Sequence, residues 1–193
     1  EIISDEVYDH LVFDDQLHTS VLSAACDMDH VMVISSFSKT FSMAGLRVGW
    51  LIASQAAIKK LRRYHMFTTT VANTPCQWGG VAALKGDRSF VDAMIGEYTK
   101  RRDLLVDLID KTPNLTAYRP DGAFYIFPAL PEGISGSNVA LRLLRETGVC
   151  TIPGDTFGES CDNALRISYS LPRDKIQAAF DRIIPWMEKQ DFS

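Results

Sequence analysis

The stretch Val33-Ile34-Ser35-Ser36-Phe37-Ser38-Lys39-Thr40-Phe41-Ser42-Met43-Ala44-Gly45-Leu46-Arg47-Val48-Gly49-Trp50 sets the fold class. The apolar run Val31-Met32-Val33-Ile34 leads into serines on both sides of a lone lysine, Lys39. Gly45 and Arg47 follow, then a second apolar run from Val48 to Ala53. Two β-type runs enclosing small hydroxyl residues, one Lys and one Arg read as strand, functional loop, strand. Phosphate contact wants hydroxyls, backbone N–H groups and an Arg fork. Covalent carbonyl chemistry wants a Lys whose amine can be neutral. Both needs are met inside this stretch, and the same residues also fit a polar hairpin with exposed charges.

Upstream lies Glu1-Ile2-Ile3-Ser4-Asp5-Glu6-Val7-Tyr8, which reads as the end of a buried strand running into a functional turn. The chain is therefore expected to be the C-terminal part of a longer protein, with any targeting segment out of view. Asp5 and Tyr8 stand where α/β sheets usually place ligand groups, and a solvated acidic turn fits them too. Residues 9 to 20 read as a loop, and Val21 to Asp27 as a helical turn or short helix.

Downstream the period changes. Ala56, Ile58, Leu61 and Tyr64 suit a helix capped by Ser54, with Lys59, Lys60, Arg62 and Arg63 on its wet face. A second helix is expected from about Pro75 to Lys85, ending at Gly86. A third and longer one should run from about Ser89 to Ile109, with Phe90, Met94, Leu105 and Leu108 as its apolar residues. Past Pro113 come short elements. Leu115–Tyr118 and Ala123–Phe127 read as strands around the turn at Pro120-Asp121-Gly122. Ser137–Thr147 reads as an amphipathic helix with Val139, Ala140, Leu143 and Leu144 inside and Gly148 as its C-cap. Val149–Ile152 and Ala164–Ser168 read as strands. Pro172 starts a last helix to about Lys189, with Ile176, Phe180 and Ile183 on its core face, and Pro185 should kink or shorten it. Strand and helix alternate throughout, so the fold class is α/β. The expected division is residues 1–100 and 101–193, carried by the long helix.

The whole chain sets bounds on this reading. Its 193 residues amount to about one domain or one and a half. Hydrophobic residues make up 46% and charged ones 23%, the composition of ordinary globular proteins. A net charge of -4 without long like-charge blocks gives no support for nucleic acid or an anionic membrane as partner. No apolar run approaches a membrane span. Cys26, Cys76, Cys150 and Cys161 show neither a C-x-x-C pair nor metal spacing, and read as reduced structural thiols in a reducing, cytoplasmic setting. Arg166, inside Ala-Leu-Arg-Ile-Ser-Tyr, either snorkels to solvent or meets a buried anion. Pro153-Gly154-Asp155-Thr156-Phe157-Gly158 reads as a structured loop. His18 and His65 have no partner visible in the sequence, and His10 reads as a surface residue near the Tyr8 turn.

Taken together, these signals resemble the aminotransferase family of pyridoxal phosphate enzymes with the large-domain, small-domain fold. Ser4-Asp5-Glu6-Val7-Tyr8 is similar to that family's acid-and-tyrosine motif. Ser36-Phe37-Ser38-Lys39-Thr40-Phe41 with Ala44-Gly45-Leu46-Arg47-Val48-Gly49 is similar to its cofactor-lysine signature. Gly122-Ala123-Phe124-Tyr125, Pro153-Gly154 with Phe157-Gly158, and Leu165-Arg166 continue the match in order across essentially the whole chain.

The resemblance implies the C-terminal part of a large domain with a mixed, mostly parallel sheet, followed by a small α/β domain. It implies pyridoxal 5'-phosphate as cofactor, held by Lys39 as a Schiff base. Lys39 would then move the proton of the substrate α-carbon. Asp5 would pair with the pyridine nitrogen, Tyr8 would hydrogen-bond the phenolic oxygen, and Ser36, Ser38 and Arg47 would hold the phosphate. Arg166 would bind the substrate α-carboxylate by two parallel bonds, a geometry Lys cannot reproduce. The implied reaction is transamination between an amino acid and a 2-oxo acid in a homodimer, with no metal. A β-lyase of the same fold and a cofactor-sensing domain of a transcription regulator are the alternatives. The family's N-terminal half supplies a phosphate loop, a ring-stacking aromatic and further contacts that this sequence lacks, so the chain alone is expected to be inactive or to bind cofactor poorly.

Overall fold

The computed structural model describes residues 1–192. A short strand β1 (Ile2–Asp5) pairs in parallel with β2 (Val31–Ser36), and β2 pairs antiparallel with β3 (Gly49–Ile52). The sheet is thus mixed, in the order β1-β2-β3. Along β2, Val31, Val33 and Ser35 are buried while Ile34 is exposed, the period of two expected of a strand with one covered face. The strand expected at Val31–Ser36 is present with those bounds, and the one expected from Arg47 begins at Gly49. One expectation is corrected: β1 is not buried. Ile2 and Ile3 are 52% and 64% exposed.

The chain's contacts divide it into two units, Glu1–Ile95 and a second beginning at Gly96. The first unit continues from its sheet into α1 (Gln55–Thr68) and α2 (Thr74–Lys85). Ser54 caps α1 by accepting from the Ala57 N–H, and Asn73 caps α2 by accepting from the Cys76 N–H, with Pro75 in the first turn. α1 buries none of its residues, so its apolar stripe is exposed along with its basic residues. The short helix expected near Val21 is a single 3-10 turn, Val21–Ser23. Helix α3 (Ser89–Asp110) contributes to both units. Leu105 and Leu108 are buried, but Phe90 is 44% exposed. Within α3, Arg102 is fully buried, its guanidinium donating to Asp103 and to the Pro120 carbonyl.

In the second unit, β4 (Tyr125–Ile126), β5 (Ile152–Pro153) and β6 (Leu165–Ser168) form an antiparallel sheet ordered β4-β6-β5. The strand expected at Leu115–Tyr118 shrinks to one bridge, Thr116 to Ala129, and the one expected at Val149 is displaced to Ile152–Pro153. The sharp positive φ of Ala123, 61°, interrupts pairing before β4. Helix α4 (Gly136–Thr147) buries Val139, Ala140 and Leu143, while Leu144 is exposed, which corrects its assignment to the inner face. Gly148 ends α4 in the left-handed conformation at φ 69°, as a C-cap glycine should. Helix α5 (Arg173–Met187) buries Ile176, Phe180, Ile183 and Met187, spaced for one face. Pro185 sits in its last turn, so the helix ends two residues later instead of at Lys189. All four cysteines are free thiols, and Cys26 and Cys150 are exposed, so those two are not structural core thiols.

Candidate active site

Lys39 sits in the turn that follows β2. The turn is nailed down by the two phenylalanines that flank it at two residues' distance. Phe37 and Phe41 are 6% and 7% exposed and their rings lie 5.4 Å apart. Phe37 also meets Trp50 edge-on at 5.0 Å. Each buried Phe stabilises the turn by roughly 1.5–3 kcal/mol. The backbone closes the arrangement: Phe37 N–H donates to Val48 O, Ser42 N–H to Lys39 O, and Met43 N–H to Phe37 O. Gly80 of α2 is needed for this packing, since a Cβ there would come within 2.9 Å of the Phe37 ring.

Lys39 Nζ lies 5.4 Å from the centre of the Tyr8 ring. The two turns are also tied by Thr40 Oγ1, which donates to Asp9 Oδ1 at 3.4 Å. Asp5 ends β1 opposite Ile34 in the parallel register, and Ser36 stands two residues beyond Ile34. Alternation along the strands therefore puts Asp5, Ile34 and Ser36 on one face, at the C-terminal ends of two parallel strands. Asp5 is exposed, with Oδ1 accepting from the Val7 N–H at 3.2 Å. Glu6, next to it, is buried on the other side and accepts from Ser4, Ser20, Val21 and His18. Burial works to raise the Glu6 carboxyl, and the bonds from Ser20, Val21, His18 and Ser4 together hold it below its ordinary value.

Ser36, Ser38 and Arg47 line one open cleft of about 730 Å³, together with Ile34 and Gly49. Ser36 Oγ accepts from the Ser38 N–H at 3.2 Å. Arg47 holds a left-handed backbone, φ 53°, and its Nη1 donates to Ala44 O at 2.8 Å. Gly49 stands opposite Ser36, and a Cβ there would meet Ser35 O at 2.6 Å. The far wall of the cleft comes from α1: Ile58, Leu61, Arg62, His65 and Thr68. Sequence reasoning put Arg62 on the wet face and left His65 unassigned. Their spacing with Ile58, Leu61 and Thr68 was the signal, since residues three and four apart share a helix face.

Arg166 belongs to the second unit. Its guanidinium carbon lies 4.5 Å from the Tyr125 ring centre and 4.8 Å from that of Phe157. Its Nε is buried without a hydrogen-bond partner among the described residues. An orphaned, buried guanidinium nitrogen between aromatic neighbours suits an incoming planar anion. Of the other expectations, His18 does have a partner, Glu6 Oε2 at 3.1 Å, and His10 Nε2 lies 3.0 Å from Arg88.

Comparison with known proteins gives the family. The profile of aminotransferase class I and II matches residues 2–183. The chain belongs to the class I and II aminotransferase family. It is 35% identical to an aspartate aminotransferase of Pyrococcus abyssi over 94% of its own length and 47% of the relative's. It is 34% identical to an aromatic-amino-acid aminotransferase of Thermococcus litoralis over the same shares, 94% and 47%. The crystal structure of an aromatic aminotransferase from Pyrococcus horikoshii superposes with a TM-score of 0.92 at 33% identity, covering 97% of this chain and 51% of that one. The chain thus spans about half the length of the aminotransferases it matches. Family members use pyridoxal 5'-phosphate. The donor set fits that group: a hydroxyl-lined cleft with an Arg for the phosphate, an amine beside a phenol, and an exposed carboxylate on the same sheet face. No helix among the described residues is long and apolar enough to cross a membrane.

Proposed function

We propose that this chain carries the lysine side of a pyridoxal phosphate site, and that the whole protein transfers an amino group between an amino acid and a 2-oxo acid. The observation that carries the proposal is the approach of Lys39 Nζ to Tyr8 at the mouth of a sheet whose same face bears Asp5 and Ser36. The first unit is then the C-terminal part of the cofactor-binding domain, and the second is the small domain. A homodimer in the cytoplasm is the assembly and place that go with this reading.

The chain's residues divide the work by chemistry. Ser36, Ser38 and Arg47 would bind the phosphate, hydroxyls and guanidinium being matched to its oxygens. Asp5 would hold a proton on the pyridine nitrogen, and Tyr8 would donate its hydroxyl to the phenolic oxygen that the ring carries. Lys39 would supply the amine for the covalent attachment and, once free of it, would move the substrate α-proton. Arg166 orients the substrate by its carboxylate. Pyridoxal phosphate, when bound, supplies the electron sink that makes the α-proton removable. An arginine that reads only the α-carboxylate leaves the substrate's side chain unspecified, so the substrate class is α-amino acids.

The test is an absorbance titration with pyridoxal phosphate on the intact protein and on Lys39→Ala. The wild type should gain a borohydride-reducible band and turn over amino donors with 2-oxoglutarate. Lys39→Ala should do neither, and persistence of the reducible band in that variant would remove Lys39 from its role. Release of ammonia without amino transfer would favour the lyase alternative.

A further inference from the structure

Glu6 lies between Asp5 and Tyr8 in the chain, and its side chain turns to Ser4, His18, Ser20 and Val21. It is 7% exposed, an unusual burial for a carboxylate. Its Oε1 accepts from Ser4 Oγ at 3.1 Å, Ser20 Oγ at 3.1 Å and the Val21 N–H at 3.0 Å. Its Oε2 faces His18 Nε2 at 3.1 Å. Its backbone is held as firmly: the Glu6 N–H donates to Ile34 O at 2.8 Å, and its carbonyl accepts from the buried Ser35 Oγ at 3.3 Å. One side chain therefore gathers the end of β1, the imidazole of the 9–20 loop and the 3-10 turn at Val21, while its main chain continues the ladder to β2.

We propose that Glu6 is a positioning residue for the cofactor site. Its carboxylate fixes the Asp5–Tyr8 turn, and thereby the places at which the Asp5 carboxylate and the Tyr8 hydroxyl meet the pyridine ring. The inference rests on the site reading above. A carboxylate that only stabilised the loop could bond any part of it. This one bonds segments on both sides of the turn, so the turn cannot rotate without breaking several charge-assisted bonds at once. Asp5 by contrast is exposed, and among the described residues its carboxylate accepts from the nearby Val7 N–H alone, so its aim depends on the backbone that Glu6 holds.

The experiment uses the intact, cofactor-loaded protein and three variants, Glu6→Gln, Ser20→Ala and Tyr8→Phe. The quantities followed are the pH midpoint of the bound cofactor's absorbance change, kcat and KM for an amino donor, and exchange of the Val7 amide in the cofactor-free protein. Glu6→Gln keeps an oxygen for Ser4, Ser20 and Val21 but loses the charge and reverses the group facing His18. It should move the absorbance midpoint in the direction that Tyr8→Phe moves it, and lower kcat on the order of 10-fold to 10²-fold, the scale of a small misplacement. Faster Val7 exchange should accompany this. Ser20→Ala removes one bond and leaves the charge, so a smaller shift in the same direction is expected, and it carries the test alone if Glu6→Gln does not fold. An unchanged midpoint and kcat in the folded variants, with only the melting temperature lowered, would overturn the proposal. A wild type that forms no lysine-linked band would instead sink the site reading itself, and Lys39→Ala separates the two failures.

Discussion

Replacing Arg166 by Met should separate binding from stability. Arg166 offers a buried Nε with no hydrogen-bond partner among the described residues, and its guanidinium lies within 5 Å of two ring centres, at 4.5 and 4.8 Å. An unsatisfied buried donor costs about 1–3 kcal/mol, so its removal stabilises by that much. Loss of the two cation–π contacts costs about 0.5–2 kcal/mol each, depending on their desolvation. Met keeps a flexible apolar stem against the rings as far as the position of Nε. The opposing terms nearly cancel, and a net change within about 1 kcal/mol corresponds to a melting shift of roughly 2–4 °C for a domain of this size. Carboxylate binding has no such compensation. Two charge-assisted bonds of about 1.5–3 kcal/mol each come to roughly 3–6 kcal/mol. At about 1.4 kcal/mol per tenfold, kcat/KM for an amino donor falls by about 10²- to 10⁴-fold. The assay pairs a thermal melt of the cofactor-free protein with steady-state kinetics of the loaded one. A melting loss corresponding to more than about 3 kcal/mol, with kcat/KM within tenfold of wild type, would refute the assignment and make Arg166 a structural residue.

Further outcomes follow from other positions. Gly49→Ala places a Cβ 2.6 Å from Ser35 O and against Ser36, so it should displace the β2–β3 pair and weaken binding of free pyridoxal phosphate by about tenfold, read by titration at fixed pH. Glu6 is held below its ordinary value of 4.5 in the folded chain. The unfolded chain therefore binds the proton more readily, and the stability from Glu6 is present above about pH 4.5 and lost as pH falls through the lower folded value. Denaturant melts of Glu6→Gln between pH 3 and pH 6, about the range needed, should show a flatter acid limb than wild type, and parallel limbs would contradict the cause given. Ala123 sits at φ 61°, where a Cβ is strained. Ala123→Gly should leave the bond from the buried Tyr169 hydroxyl to the Ala123 carbonyl intact and raise stability by about 1 kcal/mol in equilibrium unfolding.

Much of the fold was legible because its signals are local. Ser54, Gly86 and Gly148 end or begin helices by capping chemistry that needs no tertiary context. The apolar run Val31–Ile34 marks β2 in the sequence, while its alternation shows only in burial. What local pattern missed was set by pairing and by distant partners. Leu115–Tyr118 has strand character but finds only the Thr116–Ala129 bridge, so its propensity goes unused. Leu144 carries the right period for the inner face of α4 yet falls on its margin, because the buried stripe there is narrow. Of the proposed site, Lys39, Asp5, Tyr8, Ser36, Ser38 and Arg47 are singled out by residue type near strand ends together with the family resemblance. Glu6 could not, since its partners Ser20, Val21 and His18 lie more than ten residues away and nothing in the local pattern announces a buried carboxylate. The orphaned Nε of Arg166 is likewise a property of packing, not of the apolar strand that carries it.

The paired rings beneath Lys39 have a mechanical consequence. Phe37 and Phe41 are sunk on either side of it, so the main chain at Lys39 works as a fixed pivot. All the amine's travel then comes from the torsions of its four-carbon stem. Tethering that stem removes about 2 kcal/mol of rotamer entropy, and releasing it gives the same amount back. In the role proposed for it, Lys39 would let go of one partner and take up another as a hand turns at a braced wrist, with Phe37 and Phe41 holding the main chain still.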